Sequence, residues 1–131
     1  MKASAEAVAC SAVVFDLDGT LIDSESNYAA SDGRFLAEFG IDFDDRLRRH
    51  MIGRGSEEFI RMLRDVYGIA EDPARLLERK NAYYLERARA NTRVFPEMRR
   101  LLDLLGERDV PLAVASGSSL RVIREMLDIC G

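Results

Sequence analysis

Two short apolar runs, SAVVFD at residues 11 to 16 and VPLAVAS at residues 110 to 116, flank a long stretch whose apolar residues recur at helical spacing. Runs this short, β-branched and bounded by charge or serine, read as buried strands. Each is followed by a helical pattern. Strand, helix, strand, helix in that order implies a parallel sheet, because parallel neighbours need a crossover between them. Everything from Ser24 to about Thr92 must then be an insertion after the first strand.

The insertion reads as four helices with short joints. Tyr28, Phe35, Leu36 and Phe39 mark one face of the first, which Gly40 can end. Asp42 to about Met51 forms a weaker second helix, and Ile52-Gly53-Arg54-Gly55 makes a break. Ser56 can cap a third helix, with Glu57 and Glu58 at its positive end and Phe59, Ile60, Leu63, Val66 and Tyr67 on its buried side. Asp72-Pro73 supplies a cap and a first-turn proline for a long fourth helix carrying Leu76, Leu77, Tyr84 and Ala88. After the insertion, a helix following Pro96 presents Met98, Leu101, Leu102 and Leu105 and closes at Gly106. A last helix, capped by Ser118 or Ser119, presents Val122, Ile123, Met126, Leu127 and Cys130. The fold class is therefore α/β, a Rossmann-like parallel sheet core over residues 1 to 23 and 93 to 131, incomplete in this chain, with a four-helix cap over residues 24 to 92.

Bulk properties remove several classes of function. Of 131 residues 47% are hydrophobic, enough for one modest core, and the net charge of −4 is spread along the chain. That pattern speaks against a nucleic-acid or anionic-membrane partner. No apolar run approaches the roughly 18 residues of a membrane span. Ala7-Val8-Ala9-Cys10 after a basic start faintly resembles a lipoprotein cleavage site, but Glu6 interrupts its apolar segment. Cys10 and Cys130, at opposite ends, have no metal or redox spacing, which fits a reducing cytoplasm. His50, between Arg49 and Met51, reads as solvated or capping.

The chemistry is concentrated where the first strand stops, in VVFDLDGTLIDSE, residues 13 to 25. Asp16 and Asp18 alternate onto one side, about 6 to 7 Å apart if the strand stays regular. Gly19 permits a sharp exit, and ligands of open parallel sheets gather beyond the carboxyl ends of strands. Two such carboxylates repel unless one is protonated or a cation lies between them, and a hard ion such as Mg²⁺ meets that need. One can attack as a nucleophile while the other moves a proton. A solvated turn or a Ca²⁺ loop of the Asp-x-Asp-Gly kind is the competing reading, but a strand precedes the pair and no ladder of oxygen ligands follows.

FDLDGTLIDSE resembles the first signature of the haloacid dehalogenase superfamily, mostly Mg²⁺-dependent phosphatases and phosphomutases, and VASGS at 114 to 118 resembles the second. The resemblance implies that Asp16 is the nucleophile, that Asp18 is the acid and base, and that the Asp18 carbonyl joins the Asp16 carboxylate on the metal. It gives Thr20 the task of steadying the loop, and the Ser116 hydroxyl and Gly117 amide the task of holding phosphoryl oxygens. The inserted helices resemble the cap of the β-phosphoglucomutase-like branch, where Gly53 to Ser56 falls in the specificity loop and Arg79-Lys80-Asn81 in a substrate-facing basic segment. Implied are a small phosphomonoester, such as a sugar phosphate, and hydrolysis through an aspartyl-phosphate. A phosphomutase is the alternative. Mutases of the branch carry a histidine where Asn27 and Tyr28 stand, which favours phosphatase.

Two further family features, a lysine that grips the phosphoryl group and an acidic pair on the metal, lie downstream of the second signature and beyond Gly131. The expectation is an N-terminal portion of a larger enzyme, catalytically crippled alone, a non-catalytic fragment or interaction module, or a chain that self-associates to complete its core. Read without the family, Ser116 serves equally as a helix cap, Asp23 and Ser24 as hinge and cap, Lys80 and Arg54 as solvated charges, and Tyr83 and Tyr84 as packing residues. The run Arg46 to His50 is an exposed face or one wall of a cleft.

Overall fold

The computed structural model describes residues 10–131; the possible leader segment lies outside them except for Cys10, which is exposed. The chain runs β1 (Val13–Asp16), α1 (Glu25–Ala37), α2 (Asp45–Met51), α3 (Ser56–Tyr67), α4 (Pro73–Asn91), α5 (Pro96–Gly106), β2 (Leu112–Ala115) and α6 (Leu120–Cys130). The two strands pair in parallel, with Phe15 opposite Val114 and Asp16 opposite Ala115. This is an α/β arrangement with a small parallel sheet, as the order of patterns requires.

Side chains gather into two apolar clusters. One joins Phe15, Leu17, Leu21 and Ile22 to Tyr84, Leu85 and Ala88 of α4 and to Val122 and Met126 of α6. The other lies among α1, α3 and α4, around Phe35, Leu36, Phe59, Ile60, Leu63 and Leu76. Helix α4 is long enough to serve both. Where it ends, Asp23 N–H donates to Arg93 O at 3.0 Å and Phe95 N–H donates to Leu21 O at 3.0 Å, so the entry to and the exit from the helical segment lie side by side.

Several helix ends form as their local chemistry dictates. Asp72 Oδ1 accepts from Ala74 N at 3.0 Å and Arg75 N at 3.1 Å, and Ser119 Oγ accepts from Val122 N at 3.4 Å. Other expectations need correction. Ser56 is already helical, and Gly55 holds the cap position without a side-chain bond. Phe39 lies past the end of α1, in the turn at Gly40, though it still packs on the second cluster. Val66 and Tyr67 are exposed, because the inward stripe of α3 stops at Leu63, and Leu101 and Leu127 are also exposed.

The strands are not buried on both sides. Val13, Phe15 and Val114 face α5 and α6, but Val14 is 64% exposed, and Leu112, Ala113 and Ala115 are exposed too. A two-stranded sheet whose helices pack on one face leaves its other face and its outer edges uncovered, whatever the residues there prefer.

Candidate active site

β1 ends at Asp16, and the backbone leaves the sheet through a tight turn. Thr20, Leu21 and Ile22 N–H groups all converge on Leu17 O, and Gly19 N–H donates to Ile22 O at 2.9 Å. Gly19 sits at φ +72°, a left-handed conformation that a side chain disfavours. This turn keeps Asp16 and Asp18 together at the strand terminus, where both line a cavity of about 540 Å³. The cavity lies between the strand ends and the helices: Gly19, Ser116, Gly117 and Ser118 form one side, and Tyr28, Asp32, Met51, Gly53 to Ser56 and Lys80 form the other.

The loop after β2 approaches Asp18 directly. Ser118 Oγ donates to Asp18 Oδ2 at 3.1 Å, Ser116 Oγ donates to the same oxygen at 3.4 Å, and Ser118 N donates to Ser116 Oγ at 3.1 Å. Asp18 Oδ1 is buried and has no hydrogen-bond partner. A carboxylate oxygen in that position normally costs free energy unless a proton or cation meets it. Asp16 Oδ1 accepts from Leu17 N at 2.8 Å. The Gly117 loop also closes on the helical side, since a Cβ at Gly55 would lie 3.2 Å from Gly117 O.

A tyrosine completes the polar chain. The Tyr28 and Ser118 hydroxyls lie 2.8 Å apart, and the Tyr28 ring stacks on that of Tyr84 at 4.0 Å between centroids. Burial and the neighbouring Asp18 charge push the Tyr28 hydroxyl well above the ordinary tyrosine range, so it stays protonated and able to donate. Asn27 is fully buried and donates from Nδ2 to Thr92 Oγ1 at 2.9 Å.

The structure brings together Asp16, Asp18, Ser116, Gly117, Arg54 and Lys80. Thr20 is exposed and outside the cavity lining. Arg54 is exposed and pairs with Glu58, as its solvated reading predicts. Lys80 departs from that reading. It is 3% exposed, and its Nζ lies 2.9 Å from Asp32 Oδ1, with the Phe59 and Tyr28 ring centroids 4.9 and 5.4 Å away. Arg79, beside it, turns away to Glu38 and Glu71. Of the basic run Arg46 to His50, Arg48 reaches the cavity wall and pairs with Glu25, whereas His50 is exposed.

The sequence does not mark Ser118 or Asp32 as a site residue. Ser118 follows Ser116 by two positions in the same loop, where it reads only as the last residue of VASGS and a helix cap. Asp32 carries no local signal at all.

Among the described residues, no group of three or more His, Cys, Asp or Glu side chains is placed to hold a metal. Mg²⁺ often takes only one or two protein carboxylates, filling its shell with water and substrate phosphate. Asp16, at the cavity with the Asp18 main chain close behind it, fits that kind of site, and the buried, unpartnered Asp18 Oδ1 is left to carry a proton. No described helix is long and apolar enough to cross a membrane.

The profile of the family described as haloacid dehalogenase-like hydrolase matches residues 13–131. The chain is 30% identical over 112 residues to (DL)-glycerol-3-phosphatase 1, mitochondrial, of Arabidopsis thaliana, covering 83% of this chain and 37% of that protein. It is 29% identical over 119 residues to the phosphoglycolate phosphatase of Aquifex aeolicus, covering 89% and 54% respectively. In fold it is similar to CbbY from Rhodobacter sphaeroides, crystallised with phosphate, at a TM-score of 0.78 and 23% identity over 93% of this chain and 57% of that one. The chain thus spans about half the length, or less, of these relatives.

Proposed function

Since the chain belongs to the haloacid dehalogenase-like hydrolases, we propose that it carries the nucleophile and acid-base half of a phosphatase site acting on a small phosphomonoester. The observation that carries this reading is the carboxylate pair at the end of β1. Asp16 stands at the strand terminus, while Asp18 is held on one oxygen by two serines and left unpartnered on the other, beside a cavity of metabolite size.

In this reading an Asp16 carboxylate oxygen attacks phosphorus as the ester P–O bond breaks, and the leaving oxygen takes the proton of Asp18. Asp18, now ionised, takes a proton from water. The hydroxide attacks phosphorus, the Asp16–phosphorus bond breaks, and inorganic phosphate leaves with both side chains restored. The Ser118 hydroxyl fixes the rotamer of Asp18 throughout, and the Ser116 hydroxyl is free to turn from Asp18 to a phosphoryl oxygen. Mg²⁺ held by the Asp16 carboxylate and the Asp18 carbonyl would neutralise phosphoryl charge. The Ser116 hydroxyl and the Gly117 amide border the cavity beside the pair, where phosphoryl oxygens would lie. Arg54 and Lys80 belong to the wall facing the rest of the substrate.

Residues 24 to 92 act in this proposal as a cap, hinged where residues 22 and 23 run beside 93 to 95. Phosphatase is preferred to phosphomutase because a tyrosine hydroxyl, rather than an imidazole, reaches the serine that holds Asp18. A second reading is favoured by the bare sheet face around Val14 and Ala113: the chain joins another polypeptide, or a second copy of itself, to complete its core.

Hydrolysis of p-nitrophenyl phosphate with and without Mg²⁺ tests the enzyme reading. Expected is Mg²⁺-dependent turnover by the protein in its core-complete form. Asp16→Asn should abolish it, and Asp18→Asn should lower it by about 10² to 10⁴. Turnover that survives Asp16→Asn would refute the assignment.

A further inference from the structure

Among the described residues, three cations line the cavity, and each already has a carboxylate partner: Arg48 with Glu25, Arg54 with Glu58, and Lys80 with Asp32. The lining itself carries four carboxylates, those of Asp16, Asp18, Glu25 and Asp32, against these three cations. Arg48 and Arg54 are solvated, with side chains 41% and 38% exposed, so each can leave its partner to water at little cost. Lys80 and Asp32 cannot. Their side chains are 4% and 11% exposed, and the Tyr28 and Phe59 rings exclude water from the ammonium. A second anion seated against Lys80 would have to draw it away and leave Asp32 buried without a partner, the expensive way to break a buried pair, which leaves only the solvated Arg48 and Arg54, whose pairing with an anion water weakens to little net gain.

We infer that Asp32 is a specificity-determining residue: by occupying Lys80 it selects phosphomonoesters whose remaining portion is uncharged, over those bearing a second carboxylate or phosphate. The inference rests on the phosphatase reading and deepens it. Around the pair, the wall offers Tyr28, Ala29, Phe43, Met51 and Ile52, which suit a carbon skeleton better than a second charge. A substrate with one phosphate places its charge at the Asp16 end and asks nothing of Lys80.

The test is isothermal titration of the full chain, with Mg²⁺ present, using sn-glycerol 3-phosphate and 2-phosphoglycolate, two ligands of similar size that differ in the second charge. Glycerol 3-phosphate should bind about tenfold more tightly, and Asp32→Asn, which frees the ammonium, should shift the ratio by about tenfold or more towards phosphoglycolate. Should Asp32→Asn fail to fold, the pair can be replaced by Asp32→Leu with Lys80→Met, which should keep the preference for glycerol 3-phosphate. Phosphoglycolate binding as tightly as glycerol 3-phosphate to the unaltered chain overturns the inference and leaves the phosphatase reading standing. So does a double variant whose preference reverses. If neither ligand binds, the phosphatase reading falls and takes this inference with it.

Discussion

Replacing Lys80 by methionine keeps the length of the side chain but removes the partner of a carboxyl that is 8% exposed. Breaking a buried ion pair from one side costs about 3 to 5 kcal/mol while the remaining group stays charged. Asp32 has an escape. Burial already pushes its carboxyl above the ordinary range, and the Lys80 charge pulls it back, so removing Lys80 sends it higher still. An unfolded aspartate titrates near 3.9, so the folded variant binds a proton that the unfolded chain has given up. Its stability is therefore greatest at low pH. It falls by about 1.4 kcal/mol per unit as the pH climbs from about 4 to the folded value, and levels off above that. The loss relative to the unaltered chain should be about 1 to 2 kcal/mol at pH 5 and about 3 to 5 kcal/mol at pH 8. Urea unfolding followed by circular dichroism at the two pH values measures it. A loss below about 1 kcal/mol at pH 8, or an equal loss at both, would refute the description of this pair as buried and mutually dependent.

Three other outcomes follow from the same geometry. Tyr28 and Tyr84 are held above the ordinary tyrosine range chiefly by burial, so their contribution is fully present below about pH 10 and is lost above it. Stability should fall by up to about 1.4 kcal/mol per unit for each ring, and Tyr28→Phe should remove about half of that slope in urea titrations between pH 9.5 and 11. Gly55→Ala would place a Cβ 3.2 Å from Gly117 O, so the two walls of the cavity must part; phosphate affinity measured by titration calorimetry should drop several-fold with the helical content unchanged. Val14→Glu, at a residue 64% exposed, should cost less than about 0.5 kcal/mol in the isolated chain yet shift sedimentation equilibrium towards monomer if the bare sheet face joins copies together.

What could be read from the sequence were features settled within a few residues. The Asp-x-Asp-Gly turn, the Asp72-Pro73 helix start and the Ser119 cap depend on neighbours in the chain, and the residues there announce the geometry. Burial of the strands could not be read that way. Val14 and Leu112 have the composition of core residues, but exposure is set by which helices pack on the sheet: Val14 lies on the face away from α5 and α6, and Leu112, paired with Val13 on their face, begins the strand where that cover is incomplete. The same holds for the site's polar wiring. Tyr28 and Ser118 are 90 positions apart, and their hydrogen bond exists only because α1 is folded back over the loop after β2. Lys80 has the composition of a solvated helix charge, and only the approach of α1 to α4 gives it Asp32 and removes it from water. Thr20 shows the converse: its place in a signature suggests a role, and the turn leaves its side chain exposed.

The central claim is that Asp16 is the group that becomes phosphorylated. Beryllofluoride, which mimics an acyl phosphate, followed by ¹⁹F NMR with Mg²⁺ present, tests that claim without requiring turnover. Bound fluoride resonances are predicted for the unaltered chain and for Asp23→Asn, and none for Asp16→Asn. Bound resonances that persist in Asp16→Asn, or that never form in the unaltered chain, would contradict it.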